Sequence, residues 1–541
     1  MELRNKSNSA LVLMLAVVLA GLIIFAAAGT TSRLIQDDYC YAAILRGPFF
    51  ERQLTSYLQE TTYSANRYSL TLGMGVSGLF GPVSVQILPA IILVLWVIGL
   101  YLLLTELARR YEWQRMSSLE YWLVAALLVF LTLALTPNWI QVFYWRAGML
   151  PYTAPLVSGT WLFWLVLRTA RTNRFKLLSL AAIFLLAVLF GGFSETAGAV
   201  LVVLTGLTLF VALIRANTQR SLITPLTAAF IGSVTALALL ILSPSTSLRL
   251  KGLYGGHAPW ADVAVNSLKG GLRFFYDLLY DRPLYVAGAF LIFTTVGYLL
   301  QRAGVTSSKP VAGLKNLLIL TLAIYAITVA AMAPSFYAEA SAPGDRALNI
   351  PVFFAVILLA AWASALGRWI ASRPAQWPMF CVAAGLYIVS LTWIIIGGSY
   401  LTAPFLPAIY HFPEQAPPLY WAVLSGGLLL IAFLTLKFKG QWTLALLAAS
   451  VIALMAGHIA LQYPVLAFRA DQWDMRDQQI QAAANQGQRE VTVRALDSLV
   501  GIADLNLNAE FWVNHCAAAY YRLDKITVVE PVLDPIRIEV P

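Results

Sequence analysis

The sequence predicts an all-α polytopic membrane protein of about 13 transmembrane helices, ending in a small α/β extramembrane segment. Three observations predict it. Of the 541 residues, 60% are hydrophobic and only 11% charged, where soluble domains carry about 25% charge. The apolar residues fall in discrete runs of helical length, not in the ten-residue alternation of an outer-membrane barrel. The basic residues are distributed unevenly between alternate loops, as topology signals are.

The candidate spans run over about 9–28, 86–105, 119–136, 153–168, 177–192, 197–214, 223–243, 284–300, 316–333, 349–366, 378–396, 419–436 and 442–461. The first is uncharged and long enough to cross a bilayer; it reads as an uncleaved signal anchor, although FAAAGT offers the small residues of a cleavage site. The fourth and fifth are short, which suits a different tilt or a partly re-entrant course. With the N-terminus inside, the inner segments hold 18 of the 36 Lys and Arg but only four of the 26 acids: Glu2, Glu106, Glu112 and Glu120. That orientation obeys the positive-inside rule. It also accounts for the pI near 9.4 without nucleic acid as a partner. The expected site is the cytoplasmic (inner) membrane, multi-pass, with the C-terminus outside.

The domain division follows: a transmembrane domain over 1–461, whose first outer loop spans 29–85, and an extracytoplasmic α/β tail over 462–541. Within the loop, 48–69 mixes apolar, aromatic and charged residues and suits an interfacial amphipathic helix. The tail offers a helix at 471–486 and strand-like VTVRAL and ITVVEPV, a unit too small to fold without leaning on its neighbour. Cys381 lies in a span. Cys40 and Cys516 fall on the same side, so a disulfide between them is open, but no spacing rule supports it, and unpaired cysteines are the expectation. No metal-type Cys/His spacing, phosphate-binding glycine loop or nucleotide fingerprint is present.

The spans are almost free of ionisable residues, whereas ion-coupled transporters carry a relay near the midplane. Polar chemistry gathers instead in the outer loops. Asp37 and Asp38 open QDDYCYA just after the first span, with Tyr39 and Tyr41 beside them; Arg67 and Tyr68 follow in SANRYS. The segment PNWIQVFYWRAGMLPYTAP holds Arg146 and Tyr152 among aromatics; Trp139, Phe143 and Trp145 there read equally well as an interfacial belt. Glu195 in GGFSETAG sits between two close apolar runs, either in a structural ion pair or facing a polar cavity. Arg249, Lys251 and His257 lie in SPSTSLRLKGLYGGHAPW, where glycines permit a mobile loop, and Arg346 follows Asp345 in PGDRAL.

The motifs QDDYCYA, NRY, FYWRAGMLPY and FSET, in that order and on one side, together with the tail stretches FRADQWDMRDQQIQAAANQGQREVTV and WVNHCAAAYYRLDKITV, resemble the GT-C superfamily of polytopic membrane glycosyltransferases. They are similar in style to bacterial members with a DDY-type first outer loop. No WWD-type tail motif of oligosaccharyltransferases occurs. The resemblance implies a GT-C-like fold, a polyprenyl-phosphate-linked sugar as donor at the outer leaflet, and inverting transfer to a glycan, lipid or protein acceptor. It places the catalytic acid at Asp37 or Asp38, without choosing between them.

The residues suit that chemistry. A carboxylate takes the acceptor proton, and Arg346, Arg249, Lys251, Arg146 and Arg67 are candidates to bind the donor phosphate. Tyr39, Tyr41, Tyr68, Tyr152, Glu195 and His257 are candidates for sugar and acceptor binding. No cofactor is required; several acids leave room for a divalent metal, though no ligand spacing demands one. Alternatives are a lipid-linked glycan ligase or polymerase, a lipid or polysaccharide transporter, and a non-catalytic scaffold.

Overall fold

A computed structural model of the chain describes residues 2–45, 48–58, 66–110, 116–172, 176–304, 313–372, 441–496 and 499–530. The chain opens with α1 (Glu2–Gly29), then α2 (Asp37–Ile44), α3 (Phe49–Leu58) and α4 (Tyr68–Gly78) in the first loop. Next come α5 (Val83–Arg110), α6 (Ser118–Leu135), the short α7 (Trp139–Phe143) and α8 (Arg146–Tyr152), and α9 (Ala154–Thr172). Then follow α10 (Lys176–Gly191), α11 (Glu195–Ile214), α12 (Ala216–Leu242), α13 (Pro244–Tyr254) and α14 (Trp260–Asp281). The membrane part continues with α15 (Pro283–Arg302), α16 (Leu314–Glu339), a 3-10 turn at Asp345–Leu348, and α17 (Asn349–Ala371). Last are α18 (Gln441–Asn485), β1 (Glu490–Arg494), α19 (Trp512–Tyr521) and β2 (Lys525–Val529).

Among the described residues, ten helices are long and apolar enough to cross a membrane, and Lys176–Gly191 is a shorter apolar helix. Eleven of the expected spans therefore coincide with observed helices; those at 378–396 and 419–436 lie outside the described residues. The chain is a multi-pass, all-α membrane protein with a small strand pair near its C-terminal end.

Helix signals in the sequence work locally. Ser117 and Glu120 form a capping box at the start of α6, satisfying two otherwise unpaired N–H groups. Pro244 occupies the first turn of α13, and Gly255, at φ 70°, closes it, a conformation glycine adopts without steric cost. Expectation and structure differ at this point: the glycine-flanked stretch around Arg249 is a capped helix rather than a mobile loop. The following residues, read only as loop, form the 22-residue α14. Between α15 and α17 the backbones touch: a Cβ at Gly297 would collide with the Ser364 backbone, and one at Gly367 with the Thr294 carbonyl. Small residues permit this approach where lipid supplies no hydrophobic drive.

The membrane core gathers around α1, whose Leu11, Met14, Val18 and Phe25 are fully buried against the neighbouring helices. Phe143 and Trp145 are buried in or beside that core as well. The belt reading fails for these two because α7 and α8 fold back into the bundle instead of lying along its surface. On α3, Phe50, Leu54 and Leu58 are exposed on one stripe, as an interfacial helix requires.

The tail has its own small core. β1 and β2 pair in parallel, Glu490 opposite Lys525 and Arg494 opposite Val529. Ile480, Val491, Val493, Val513, Ala517, Ile526 and Val528 pack behind them, joined by Leu34, Tyr39 and Val85 from the first loop and α5. The tail thus completes its core with residues of the membrane part. The boundary read at 461/462 falls inside α18, one helix of 45 residues that runs from the bundle into the tail. Cys40 on α2 and Cys516 on α19 form a disulfide, their Cα atoms 4.6 Å apart. This corrects the expectation that both are unpaired: 476 residues separate them in sequence, so only the tertiary fold brings them together.

Candidate active site

The acid pair starts a helix. Ser32 to Gln36 leave α1 in an extended course, and Gln36 turns sharply with φ 52° and ψ −120°, a sparsely populated region for a residue with a side chain. That turn puts Asp37 and Asp38 in the first turn of α2, where the helix dipole favours negative charge. Successive helical residues point about 100° apart, so the two acids face different surroundings.

Asp38 is fully buried. Its Oδ2 accepts from the Ile35 amide at 3.3 Å, and its Oδ1 accepts from the Ala147 amide at 3.2 Å. Arg146 Nε stands 3.4 Å from Oδ1, and its Nη1 reaches Ser77 Oγ at 3.3 Å. Burial drives the Asp38 carboxyl up to about 6, against the pull of Arg146 and the Ile35 N–H. Every contact made by Asp38 is with the protein's own interior.

Asp37 is half-buried. Burial raises its pKa above the usual carboxylate value, and Arg346, Arg67 and Arg249 oppose that rise. Three cations contributed by the first loop, α13 and the turn before α17 therefore act on one carboxylate. Arg346 is exposed and lies over the face of the Trp145 indole, 5.2 Å from its centroid, close enough for cation–π attraction. Trp145 itself is only 1% exposed.

Glu195 binds the other two arginines. Ser194 caps α11 by accepting from the Ala197 amide, which places Glu195 at the helix N-terminus. Its Oε2 receives Arg67 through Nη2 at 2.7 Å and Nε at 2.9 Å. Its Oε1 accepts from Asn66 Nδ2 at 2.8 Å and lies 3.6 Å from Arg249 Nη1. Arg249 Nη1 also reaches Asn66 Oδ1 at 3.5 Å, while its buried Nε has no hydrogen-bond partner. Burial pulls the Arg67 pKa down, but Glu195, Tyr152 and Tyr41 together outweigh it and hold the guanidinium above its usual value. Tyr152 and Tyr41 stand near enough to act on the same guanidinium.

The structure thus assembles Asp37, Asp38, Arg67, Arg146, Glu195, Arg249, Arg346, Tyr41 and Tyr152 at one end of the bundle. It places other candidates elsewhere. Tyr39 is 1% exposed and turned toward the tail, where its hydroxyl accepts from Trp473 Nε1 at 2.9 Å. Tyr68 donates to the Val188 carbonyl and meets the Tyr57 ring edge-on. Lys251 points to solvent on α13. His257 is exposed and stacks on Tyr337, ring centroids 5.1 Å apart. Tyr39, Tyr68 and His257 are thus engaged by other groups, while Lys251 is exposed to solvent.

Two supporting residues were given no role by the sequence reading. Asn66 links Glu195 and Arg249; its signal was adjacency to Arg67 in NRY. Asn349 is fully buried, donating to the Tyr152 carbonyl and Thr153 Oγ1 and accepting from Thr136 Oγ1. A lone amide at the start of an apolar span was its signal. Among the described residues no group of three or more His, Cys, Asp or Glu side chains could hold a metal ion.

No family model matches the chain, and no curated protein matches it. Among solved structures, the chain is similar to the crystal structure of ArnT from Cupriavidus metallidurans in the apo state, with 14% identity and a TM-score of 0.39, over 96% of this chain and 85% of that one.

Proposed function

We propose that the chain is an integral membrane glycosyltransferase. It moves a sugar from a polyprenyl-phosphate donor to an acceptor hydroxyl at the outer face of the cytoplasmic membrane, with inversion. One observation carries the reading: a half-buried carboxylate, Asp37, stands among Arg346, Arg67 and Arg249 at one end of a bundle of apolar helices. A base beside a set of cations is what this transfer needs. The acceptor oxygen attacks the anomeric carbon while its proton passes to Asp37. The bond from that carbon to the phosphate oxygen breaks, and the electron pair leaves on the lipid phosphate.

Arginine favours a phosphate leaving group because its planar fork binds two oxygens at once. Arg346, in no ion pair among the described residues, and Arg249, with a free buried Nε, are the cations with capacity left for it. Arg67 is engaged by Glu195 and acts as the fixed wall of the site. Asp38 has no open face toward a substrate and serves to hold the segment carrying Arg146. The disulfide fits the orientation with this end outside, since such bonds persist in oxidising compartments.

The test uses the purified full-length protein in lipid nanodiscs and a panel of polyprenyl-phosphate-linked hexoses and pentoses. Release of polyprenyl phosphate from one panel member, lost in Asp37→Asn, is the expected result. Equal release by wild type and Asp37→Asn would remove the catalytic assignment. Release only from pyrophosphate-linked oligosaccharides would make the protein a glycan ligase or polymerase.

A further inference from the structure

Helix α2 is only eight residues long, its N-cap residue makes no side-chain capping bond, and it is entered through Gln36 at φ 52°. Two turns of isolated helix are not stable in water. Something outside α2 must therefore fix the direction of Asp37; beside the bonds of Asp38 to Arg146 and Ala147, the tail supplies it.

The tail grips the first-loop segment at Arg33, Tyr39 and Cys40. Asp474 takes Arg33 in a two-point bond, Nε to Oδ1 and Nη2 to Oδ2, both 2.6 Å. Trp473 donates to the buried Tyr39 hydroxyl. The Tyr39 ring lies 5.7 Å from Tyr520 and 6.1 Å from Tyr521, and Cys40 is bonded to Cys516. Tyr39 follows Asp37 by two residues, about 200° around the helix, and Cys40 by three, about 300°, so the tail holds α2 both opposite the acid and beside it.

The tail has a second hold on the same site. The Val500 carbonyl accepts from Gln141 Nε2 at 2.8 Å and Asn138 Nδ2 at 3.2 Å. Those residues start α7, which leads directly to Trp145 and Arg146. The turn carrying Val500 is itself anchored, because Asp504 binds Arg469 and Arg476 of α18 at 2.7 and 2.9 Å. The two grips bracket residues 33–40 and 138–146, the segments that bear the acid pair and the arginine bonded to Asp38.

We infer that the C-terminal tail is a positioning element of the active site: through the Cys40–Cys516 bridge and the Trp473–Tyr39 bond it sets the orientation of α2 and hence of Asp37. This rests on the reading of Asp37 as the base. A misplacement of about 1 Å at a reacting group costs roughly 100-fold in rate, so a short helix held at these two points is sensitive to its support.

The experiment uses folded wild-type enzyme in nanodiscs and the polyprenyl-phosphate sugar that it turns over. Reduction with dithiothreitol is followed by thiol titration, which must show two additional thiols; if the bridge resists, the Cys40→Ser/Cys516→Ser double variant replaces it. Trp473→Phe is measured in parallel. The expected result is a fall in kcat of about ten- to 100-fold, a shift of the acidic limb of the pH profile, and donor KM within about twofold. In an Asp37→Asn background the same changes should add almost nothing, since the tail acts through that carboxylate. Unchanged kcat and pH profile after verified reduction and in Trp473→Phe overturn the inference. So does an equal loss in the Asp37→Asn background, which would mark the tail as merely stabilising. Should Asp37→Asn alone retain wild-type turnover, the reading of Asp37 falls first and takes this inference with it.

Discussion

Asp37 and Asp38 are adjacent in sequence and opposite in circumstance: Asp38 is sealed against Arg146 and two backbone amides, while Asp37 faces Arg346, Arg67 and Arg249 across a partly open site. A rotation of about 100° divides a fully buried carboxylate from a half-buried one. Four predictions build on this division and on the charges around it.

The first concerns asparagine variants of the pair. Asp37→Asn should fold normally and lose turnover by about 100-fold or more, the scale of general-base loss. Asp38→Asn should instead lower stability, by about 1–3 kcal/mol, because it leaves one of the Ile35 and Ala147 amides without an acceptor. Thermal unfolding in nanodiscs, read beside donor turnover, separates the two. Comparable melting temperatures for both variants would refute the division of roles.

The second is pH dependence. Burial raises the Asp37 pKa, and a base works only when deprotonated, so activity should fall as pH drops through an apparent pKa above the usual carboxylate value. For Asp38 the sign runs the other way in stability. Its pKa is raised from 3.8 to about 6, so its contribution is fully present below 3.8 and is lost as pH rises through about 6. That loss is roughly 3 kcal/mol, at 1.36 kcal/mol per unit. The melting temperature of wild type relative to Asp38→Asn should be higher at pH 5 than at pH 7.5.

The third concerns Arg346. Arg346→Ala should weaken binding of the polyprenyl-phosphate donor by about tenfold or more, as loss of a charge-assisted hydrogen bond does. Arg346→Lys should restore only part of it, because lysine neither forks onto phosphate nor stacks as well on Trp145. Donor affinity unchanged in a folded Arg346→Ala protein would transfer the phosphate role to Arg249.

The fourth is sidedness. Single cysteines at the exposed positions Lys176 and Arg220, in a chain with Cys381 replaced by Ser, should react with membrane-impermeant maleimide only from the cytoplasmic side. A cysteine at Glu510 in the tail should react only from the outer side. The motive is the charge asymmetry, with short inner loops rich in Lys and Arg and nearly all the acids outside; the opposite pattern of labelling would reverse the orientation and the outer-leaflet chemistry with it.

Much of this architecture was legible in the sequence, because hydropathy and charge act locally. Eleven spans coincide with helices, and both tail strands stand where alternation puts them. The order of QDDYCYA, NRY and FSET indicated one end of the bundle, and Arg67 does meet Glu195 there. What spacing could not supply was direction. Tyr39 and Tyr41 look equivalent beside the acids, yet one packs into the tail and the other stands near Arg67. The choice between Asp37 and Asp38 depends on Arg146, more than 100 residues away. Helix α14 was missed because five charges interrupt its apolar stripe; Val265, Leu268, Leu272 and Leu279 form an exposed face only when wound at helical pitch.

The disulfide also has a consequence in time. Cys40 leaves the ribosome early, but its partner lies 476 residues later. At about 5–20 residues per second, synthesis of that interval takes roughly 24–95 s. During that time the acid pair exists and the membrane helices can insert, but the clasp behind α2 has no second half. On the positioning role inferred for the tail, full competence is reserved for chains translated through it. A ribosome that stalls in the last span leaves a bundle with these acids and arginines but without the Cys40–Cys516 bridge.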